Sequence, residues 1–294
     1  MKLSSNKIKD IIRCYSKELE SLYEKREINN LLYHILDEYS GISRTDIALN
    51  PNQTINESEL LKVHFAVKDL KNFKPIQHIF GKTIFFGLDF IVNPNVLIPR
   101  PETEELVNRI IEDSKNSKEE IDILDIGTGS ACIAVCLKKL IPFSKVFAID
   151  VFTETLKTAE INAENNNVNI EFLCNDILDK QLWNNFPQFD IIVSNPPYIR
   201  ETEKKLMKKN VLDYEKKEFL FVPDSNPLIF YEAISDFALM HLKNNGTLYF
   251  EINESLGAKT AKILEAKGFI KILLIKDING KDRMIKCNLE KSEI

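Results

Sequence analysis

Apolar residues between positions 6 and 73 recur at the three- and four-residue spacing of helices. Gly41 follows the second of two such stripes, as a residue that readily ends a helix. Ser43 begins a short new helix, and a further helix is predicted over residues 58–70. The stripes comprise Ile8, Ile11, Ile12, Tyr15, Leu19 and Leu22, and then Ile28, Leu31, Leu32, Ile35, Leu36 and Tyr39. The pattern predicts a helical bundle over residues 1–74.

Residues 75–101 have a different pattern. Short apolar stretches at 77–81 and 83–87 each end at a glycine, and residues 88–92 alternate between apolar and polar side chains. Alternation next to glycine turns is typical of β-strands. The pattern predicts short strands that form a β-hairpin linking two domains.

From residue 102 onward, predicted strands alternate with predicted helices. The strands are expected at residues 121–126, 145–150, 170–174, 189–194, 246–252, 270–275 and 284–289. The helices are expected at residues 131–140, 154–165, 226–243 and 256–267, the last with Ser255 as its N-cap. This order predicts a mostly parallel, doubly wound, Rossmann-like α/β sheet over residues 102–294, with helices on both faces.

Composition excludes several classes of protein. Hydrophobic residues make up 44% of the 294 residues, which excludes intrinsic disorder, and the net charge of −5 disfavours bulk electrostatic binding of nucleic acid. The five cysteines include no CxxC pair, so neither a disulfide framework nor a metal site is indicated. The scattered cysteines favour a reducing, cytoplasmic setting. No apolar run is long enough for a membrane span or a signal peptide, so we expect no membrane partner.

A glycine turn, Asp-Ile-Gly-Thr-Gly-Ser, occupies residues 125–130 after the first parallel strand. Its glycines allow the backbone to approach a ligand closely, and the helix that follows offers free N–H groups. A dinucleotide-binding turn has a third glycine at the position of Cys132, so the sequence argues against NAD or FAD. Taken alone, the turn could equally be a tight connection.

Carboxylates follow the next two strands. Asp150 ends the second strand, where a carboxylate can accept both hydroxyls of a ribose. Asp176 ends the third, where it can accept an adenine amine while Ile177 offers the ring an apolar surface. Either aspartate alone could be a helix N-cap. Their joint placement after successive strands indicates a pocket for S-adenosylmethionine.

The fourth strand ends in Asn195-Pro196-Pro197-Tyr198. The first and fourth strands of a doubly wound sheet are neighbours, which sets Asn195 opposite the glycine turn. The Asn195 side-chain oxygen and the Pro196 carbonyl can each accept one hydrogen of a substrate NH₂ group, and Tyr198 can stack on a planar amide or base. An ordinary strand exit is the alternative. The motif predicts methyl transfer to nitrogen, with Asn195, Pro196 and Tyr198 as catalytic residues.

These motifs resemble those of the PrmC/HemK-type protein glutamine N5-methyltransferases, over essentially the whole chain. The motif at 195–198 also occurs in nucleic-acid amino-methyltransferases, whereas other segments are more specific to the family. These segments are residues 75–81, 86–87, 98–106, 250–252 and 277–283. The resemblance implies a class I methyltransferase that uses S-adenosylmethionine to methylate the amide nitrogen of the Gly-Gly-Gln glutamine in peptide chain release factors.

The motifs and the resemblance together give a set of site residues. The cofactor-binding residues are expected to be Gly127, Thr128, Gly129, Ser130, Ala131, Asp150, Asp176, Ile177 and Asn195. The substrate-binding residues are expected to be Asn195, Pro196, Pro197, Tyr198, Arg100 and Glu102, the last two ordering the chain above the methyl donor. Residues 1–74 are expected to bind the release factor. We expect no metal, no direct nucleic-acid partner and a monomeric enzyme.

The chain departs from the family pattern in two places. Ala131 stands where the family often has glycine, and a small residue should still fit. Lys216 follows Glu215 where the family commonly has proline, and residues 223–228 replace a glycine-rich piece. The contacts made by the loop at 215–228 are therefore open.

Two alternative functions share parts of this pattern. A nucleic-acid amino-methyltransferase acting on adenine or guanine would use the same cofactor pocket and motif, but it would need a basic groove. A methyl-donor-binding scaffold without catalysis would not need the intact motif at 195–198.

Overall fold

The computed structural model describes residues 5–117, 119–207 and 209–291. These residues divide into two compact units. The helical unit comprises the described residues up to Gly81 together with Lys209–Tyr214. The sheet unit comprises the described residues from Lys82 onward, apart from that inserted piece.

The helical unit is built from amphipathic helices whose apolar stripes face one core, as their spacing predicts. Its helices are α1 (Ile8–Leu19), α2 (Lys25–Ser40), α3 (Arg44–Leu49), α4 (Glu57–Lys71) and α5 (Ile76–Phe80). Gly41 ends α2 with a φ of 64°, and Ser43 and Asp46 form a capping box at α3. Both boundaries were predicted and are confirmed.

The inserted piece of the helical unit, Lys209–Tyr214, directly precedes the divergent loop at 215–228. Its short helix is α9 (Lys209–Leu212). The Tyr214 hydroxyl donates to the Asn72 carbonyl at 2.9 Å, and the Lys209 ammonium lies 5.4 Å from the centre of the Phe73 ring.

The predicted strand at residues 77–81 is wrong, because these residues form α5. Pro75 provides an extended N-cap, and Gly81 ends the helix with a φ of 71°. Ile76, Ile79 and Phe80 pack against the helical core, and their spacing suits one helical turn. Five residues are too few for periodicity alone to distinguish a helical turn from a strand.

The sheet unit begins with an antiparallel hairpin of β1 (Lys82–Phe85) and β2 (Leu88–Ile91). The hairpin is followed by α6 (Pro101–Ser114), β3 (Ile121–Ile126), α7 (Cys132–Leu140), β4 (Ser144–Asp150), α8 (Thr153–Asn165), β5 (Glu171–Cys174) and β6 (Phe189–Ser194). Beyond these lie β7 (Ile199–Arg200), β8 (Phe221–Val222), α10 (Ile229–His241), β9 (Leu242–Glu251), α11 (Gly257–Ala266), β10 (Ile270–Lys276) and β11 (Asp282–Asn288). Short 3₁₀ helices cover Lys180–Leu182, Glu201–Leu206 and Lys217–Phe219.

The described residues form a seven-stranded sheet in the order β10-β11-β9-β6-β3-β4-β5. Pairing is parallel from β9 to β5, and β11 and β10 extend the sheet antiparallel. Helices α6, α7 and α8 cover one face, and α10 and α11 cover the other. The predicted doubly wound, mostly parallel sheet is confirmed.

Two predicted details within the sheet unit differ from the structure. β9 begins at Leu242, which already pairs with Phe189 before an irregular stretch leads to Thr247. Ser255 is not the N-cap of α11, since the cap position is Leu256 and makes no side-chain capping bond. The Ser255 N–H and hydroxyl both donate to the Asn253 side-chain oxygen instead, at 2.9 and 2.7 Å. Within the described ranges, no helix is long and apolar enough to cross a membrane.

Candidate functional site

The central feature of the sheet unit is a cleft where β3 and β6 end side by side. Ile126 pairs with Ser194 in the parallel register, and the Ser194 hydroxyl donates to the Ile126 carbonyl at 2.7 Å. β3 continues into the glycine turn, and β6 continues into the motif at 195–198. The order of strands reverses at this point, which is where doubly wound sheets bind ligands.

The cleft is concave and lies at the switch point of the sheet, where open α/β sheets bind small molecules. Eight of the predicted site residues line it: Gly127, Gly129, Asp150, Asp176, Ile177, Asn195, Pro196 and Pro197. Most of its surface is apolar, with carboxylates and an amide at separate positions. That distribution suits a nucleoside with a polar side arm.

The glycine turn is held open toward the cleft by its backbone conformation. Gly127 and Gly129 have φ values of 72° and 57°, and a Cβ added to either would meet nothing within 4 Å. The Gly127 and Thr128 N–H groups both donate to the Ile149 carbonyl at 2.9 Å, which fixes the turn against β4. A ligand can therefore approach the backbone where side chains are absent.

The remaining residues of the turn are buried and support it. The Thr128 hydroxyl donates to Asp125 Oδ2 at 2.7 Å, and burial raises the pKa of Asp125 to about 7. Ala131 has no exposed surface and a φ of 62°, the left-handed conformation that glycine adopts most easily. The Ser130 carbonyl accepts from the Asn162 amide at 3.0 Å. Thr128, Ser130 and Ala131 thus face the protein interior and hold the backbone of the turn in place.

Asp150 connects the end of β4 to the glycine turn. Its Oδ2 accepts from the Gly129 N–H at 3.0 Å, and its Oδ1 accepts from the Phe152 N–H at 3.1 Å. Burial raises the pKa of Asp150, and these backbone donors oppose that rise by favouring the charged form. Each carboxylate oxygen has a second lone pair, so Asp150 can still accept from two hydroxyls in the cleft.

Asp176 and Ile177 form the far end of the cleft after β5. Asp176 Oδ1 accepts from the Leu178 N–H at 2.9 Å, which orients the carboxylate. Ile177 is buried, and its carbonyl accepts from the Trp183 indole N–H at 3.2 Å. An acceptor beside a fixed apolar surface suits an adenine ring.

The motif at 195–198 divides between the cleft and the protein interior. Asn195, Pro196 and Pro197 line the cleft, whereas the Tyr198 hydroxyl donates to Glu251 Oε1 at 2.9 Å. Burial and the Glu251 charge raise the pKa of Tyr198 well above its ordinary value. Tyr198 is therefore a hydrogen-bond donor to a carboxylate in this structure.

Arg100 and Glu102 flank the start of α6. The Arg100 guanidinium donates to both carboxylate oxygens of Glu215, at 2.6 and 2.8 Å, and Glu215 is buried. Glu102 is half-buried. The Glu215 contact belongs to the loop whose contacts the sequence left open, and this loop also places Glu218 and Phe219 at the cleft.

Sequence reasoning missed several residues that line or support the cleft. Apolar walls come from Val96, Leu97, Phe152, Phe219, Phe230 and Ile234. Asn162 was also missed, although it donates to Ser130 and makes two hydrogen bonds with the Ile91 backbone. An amide on the face of α8 that also carries Leu156, Ala159 and Ala163 is the one signal that could have indicated Asn162.

Comparison with known proteins follows the same division of the chain. The family model described as PrmC N-terminal domain matches residues 10–81, and the model described as Methyltransferase small domain matches residues 103–215. A release factor glutamine methyltransferase of Flavobacterium psychrophilum is 47% identical over 96% of this chain and 99% of its own length. The chain belongs to the release factor glutamine methyltransferase family. A relative of the same name from Bacteroides thetaiotaomicron is 38% identical, again over 96% of this methyltransferase and 99% of the relative.

Solved structures share the fold of this methyltransferase at low sequence identity. A methyltransferase from Pyrococcus furiosus has a TM-score of 0.51 at 19% identity, covering 80% of this chain and 100% of its own. A 16S rRNA N2 G1207 methyltransferase from Thermus thermophilus, in complex with AdoMet and guanosine, has a TM-score of 0.51 at 18% identity. It covers 71% of this chain and 50% of its own.

The cofactor of this methyltransferase is S-adenosylmethionine. The residues of the cleft fit that group. The open space beyond Gly127 and Gly129 admits a ligand against the backbone, and Asp150 retains acceptor capacity for ribose hydroxyls. Asp176 and Ile177 offer an acceptor and an apolar surface at the other end.

Proposed function

We propose that this methyltransferase transfers the methyl group of S-adenosylmethionine to the N5 amide nitrogen of the glutamine in the Gly-Gly-Gln motif of peptide chain release factors. The family relationship supports this substrate. The observation that carries the chemistry is the placement of Asn195 and Pro196 in one cleft with Gly127, Gly129 and Asp150. The amide acceptors and the nucleoside-binding groups thereby face the same space.

The reaction requires an amide nitrogen to act as a nucleophile, although its lone pair is delocalised into the carbonyl. The Asn195 side-chain oxygen and the Pro196 carbonyl each accept one N–H of the substrate amide. These two bonds orient the amide and favour a pyramidal nitrogen, so positioning and electrostatics supply the acceleration. When bound, S-adenosylmethionine would supply a methyl group from its sulfonium; the S–CH₃ bond breaks as the N–CH₃ bond forms, and the thioether S-adenosylhomocysteine leaves. The methylated nitrogen is acidic and loses one proton to solvent. Proline at 196 and 197 keeps the acceptor carbonyl rigid, because its ring fixes φ.

The remaining site residues hold the two substrates. Thr128, Ser130 and Ala131 shape the glycine turn, Asp150 accepts the ribose hydroxyls, and Asp176 with Ile177 binds the adenine. Pro197 completes the glutamine site in the cleft, whereas Tyr198, predicted to stack on the substrate, lies outside the cleft lining and donates its hydroxyl to Glu251. Arg100 and Glu102 order the chain above the methyl donor, with Arg100 acting through its ion pair with Glu215.

The helical unit binds the body of the release factor in this proposal. Its surface carries large apolar side chains on α3 and α4, with Leu49 80% exposed, Leu61 54% and Phe65 55%. Leu61 and Phe65 are four positions apart and so are neighbours on α4, and contiguous exposed apolar surface marks protein-binding sites. Deletion of this unit should therefore raise the KM for intact release factor more than the KM for a Gly-Gly-Gln peptide.

A labelled-methyl transfer assay tests the function directly. Purified release factor is incubated with the enzyme and labelled S-adenosylmethionine, and its Gly-Gly-Gln peptide is analysed by mass spectrometry. We expect one added methyl on the glutamine, lost with Asn195→Ala while calorimetry still detects cofactor binding. Asn185→Ala, at an exposed position outside the cleft, is the matched control. Transfer to RNA or DNA instead of release factor would contradict the proposed substrate.

We also propose that the enzyme is a cytoplasmic monomer without a direct nucleic-acid partner. The net charge of −5 supports the last point, since nucleic-acid binding depends on basic surfaces. Sedimentation velocity and a filter-binding assay with ribosomal RNA test these statements. A dimer at micromolar concentration, or salt-sensitive RNA binding, would contradict them.

A further inference from the structure

A buried carboxylate lies behind the motif at 195–198. Glu251 is the last residue of β9, is 1% exposed, and follows Phe250, which pairs with Ser194 of β6. Its side chain therefore lies next to the point where the chain leaves β6 for Asn195. A buried charge at such a point requires hydrogen-bond donors around it.

Two hydroxyl groups supply these donors. Thr103 Oγ1 donates to Glu251 Oε2 at 2.6 Å, and Tyr198 Oη donates to Glu251 Oε1 at 2.9 Å. Thr103 lies in the first turn of α6 and is 2% exposed. Each oxygen of the carboxylate thus receives one hydroxyl. Burial raises the pKa of Glu251, and the two hydroxyls and the Arg283 guanidinium oppose that rise by favouring the charged form.

The Thr103 hydroxyl makes a second contact, with Asn195. The Asn195 Nδ2 group donates to Thr103 Oγ1 at 3.2 Å. A hydroxyl has one proton, and Thr103 donates its own to Glu251 Oε2. Thr103 can therefore only accept from Asn195, so the amide must present its NH₂ side to Thr103 and its Oδ1 elsewhere.

The direction of these bonds decides what Asn195 offers to the cleft. With Nδ2 bound to Thr103, the acceptor Oδ1 is the part of the amide available to a substrate N–H group. With the amide reversed, an NH₂ donor would face the NH₂ donor of the substrate. The interior of the protein thereby specifies one of two amide orientations that are otherwise nearly equal in shape.

We propose that Glu251 and Thr103 are positioning residues for methyl transfer, which together fix the Asn195 amide with its oxygen toward the substrate nitrogen. Glu251 also holds the Tyr198 hydroxyl, and the Asn253 amide donates to the Tyr198 carbonyl at 3.1 Å. Buried side chains thus hold both Asn195 and Tyr198, the first and last residues of the motif. This inference rests on the proposed function for its effect on rate, whereas the orientation itself is independent of it.

The kinetic test uses Thr103→Val, which removes the hydroxyl with little change of shape, and Thr103→Ser, which restores it. We expect kcat to fall roughly 10- to 100-fold in the valine variant, because misorientation of a reacting group has costs of this size. The KM for release factor and the Kd for S-adenosylmethionine should stay within about threefold, and serine should restore most of kcat. Thr260→Val, at a buried hydroxyl of α11 that donates to Leu256, is the matched control.

Glu251→Gln provides a second variant. A glutamine must present an NH₂ group to one of the two hydroxyls, so it disturbs either Thr103 or Tyr198. We expect kcat to fall here too, with urea unfolding confirming that the variant is folded. Unchanged kcat in both Thr103→Val and Glu251→Gln would overturn the proposal.

A spectroscopic measurement separates this inference from the proposed function. The side-chain N–H signals of Asn195, assigned by their loss in Asn195→Ala, should show one proton with slow solvent exchange. Thr103→Val should accelerate that exchange by about tenfold or more, and Thr103→Ser should not. If the wild type methylates no release factor but these signals behave as expected, the function fails and the positioning stands. Exchange that is unaffected by Thr103→Val would overturn the positioning.

Discussion

The Arg100 guanidinium donates to both oxygens of the Glu215 carboxylate, although 115 positions separate the two residues in the sequence. Glu215 is buried, and the Arg100 side chain is 33% exposed. Burial raises the pKa of Glu215, and the Arg100 charge opposes that rise. The pair attaches the start of α6 to the loop that places Phe219 at the cleft.

Substitution of Arg100 and substitution of Glu215 should lower the free energy of unfolding by different amounts. Arg100→Met leaves a buried carboxylate without its cation and should lower the free energy of unfolding by about 2 kcal/mol. Glu215→Gln leaves a guanidinium that water can reach, so its effect should be about 1 kcal/mol or less. Urea unfolding at pH 7.5 measures both.

The pH dependence of Arg100→Met provides its control. Without the arginine, the folded-state pKa of Glu215 rises further above its unfolded value, so its contribution to stability is present at low pH and is lost as pH rises. The deficit of Arg100→Met should therefore shrink from pH 7.5 toward pH 5. Equal effects of the two single substitutions, independent of pH, would contradict this account of the pair.

Asp150→Asn should weaken the binding of S-adenosylmethionine by about 10- to 100-fold, because charged hydrogen bonds contribute about 1.5–3 kcal/mol each. The asparagine also turns its NH₂ group toward the N–H of either Gly129 or Phe152, and that N–H then loses its acceptor. Calorimetry measures the affinity. Asp176→Asn is the comparison, and we expect a smaller loss because its carboxylate receives the Leu178 N–H on one oxygen. Unchanged affinity in Asp150→Asn would exclude the ribose role.

The sequence predicted the sheet and its cleft well, for a physical reason. Strands buried on both faces are continuous apolar runs, so residues 121–126 and 189–194 were placed with their observed ends. Ligands bind at the carboxyl ends of such strands, so the residues that directly follow them could be assigned to one cleft. Gly127, Asp150 and Asn195 were found by that rule, and the structure places all three in the cleft.

Features that depend on distant contacts could not be predicted in the same way. Thr103 and Glu251 are 148 positions apart, and neither belongs to a pattern that indicates a hydrogen bond between them. The helix at Ile76–Phe80 was wrongly predicted as a strand. Packing against the helical core decides its conformation, and local periodicity does not show that packing. Ser255 resembled an N-cap, but the Asn253 side chain binds its N–H and hydroxyl.

Asp125→Asn should change how stability depends on pH. Asp125 is fully buried, and its pKa rises from 3.8 to about 7 in the folded protein. The folded state therefore binds one more proton than the unfolded state between these values, so stability falls as pH rises toward 7. The asparagine variant lacks this titration while other carboxyls cancel in the comparison. The free energy of unfolding of the wild type, minus that of the variant, should fall by up to about 1.4 kcal/mol per pH unit between pH 5 and 7. A difference that is constant with pH would mean that Asp125 keeps its ordinary pKa.

Ala131 provides a test of the conformation of the glycine turn. Its φ of 62° costs about 1–2 kcal/mol for a residue with a Cβ, and glycine would relieve that cost. Glycine also gains entropy in the unfolded chain and loses a buried methyl, which together cost about the same. We therefore expect Ala131→Gly to change the free energy of unfolding by less than about 1 kcal/mol.

Ala131→Val should lower the free energy of unfolding by about 2 kcal/mol or more, since a β-branched side chain is strained at this φ and the site has no exposed surface. Urea unfolding of both variants measures this. A valine variant as stable as the wild type would show that the turn can adopt another backbone conformation, and the argument for close ligand approach at Gly127 and Gly129 would then lose its structural basis.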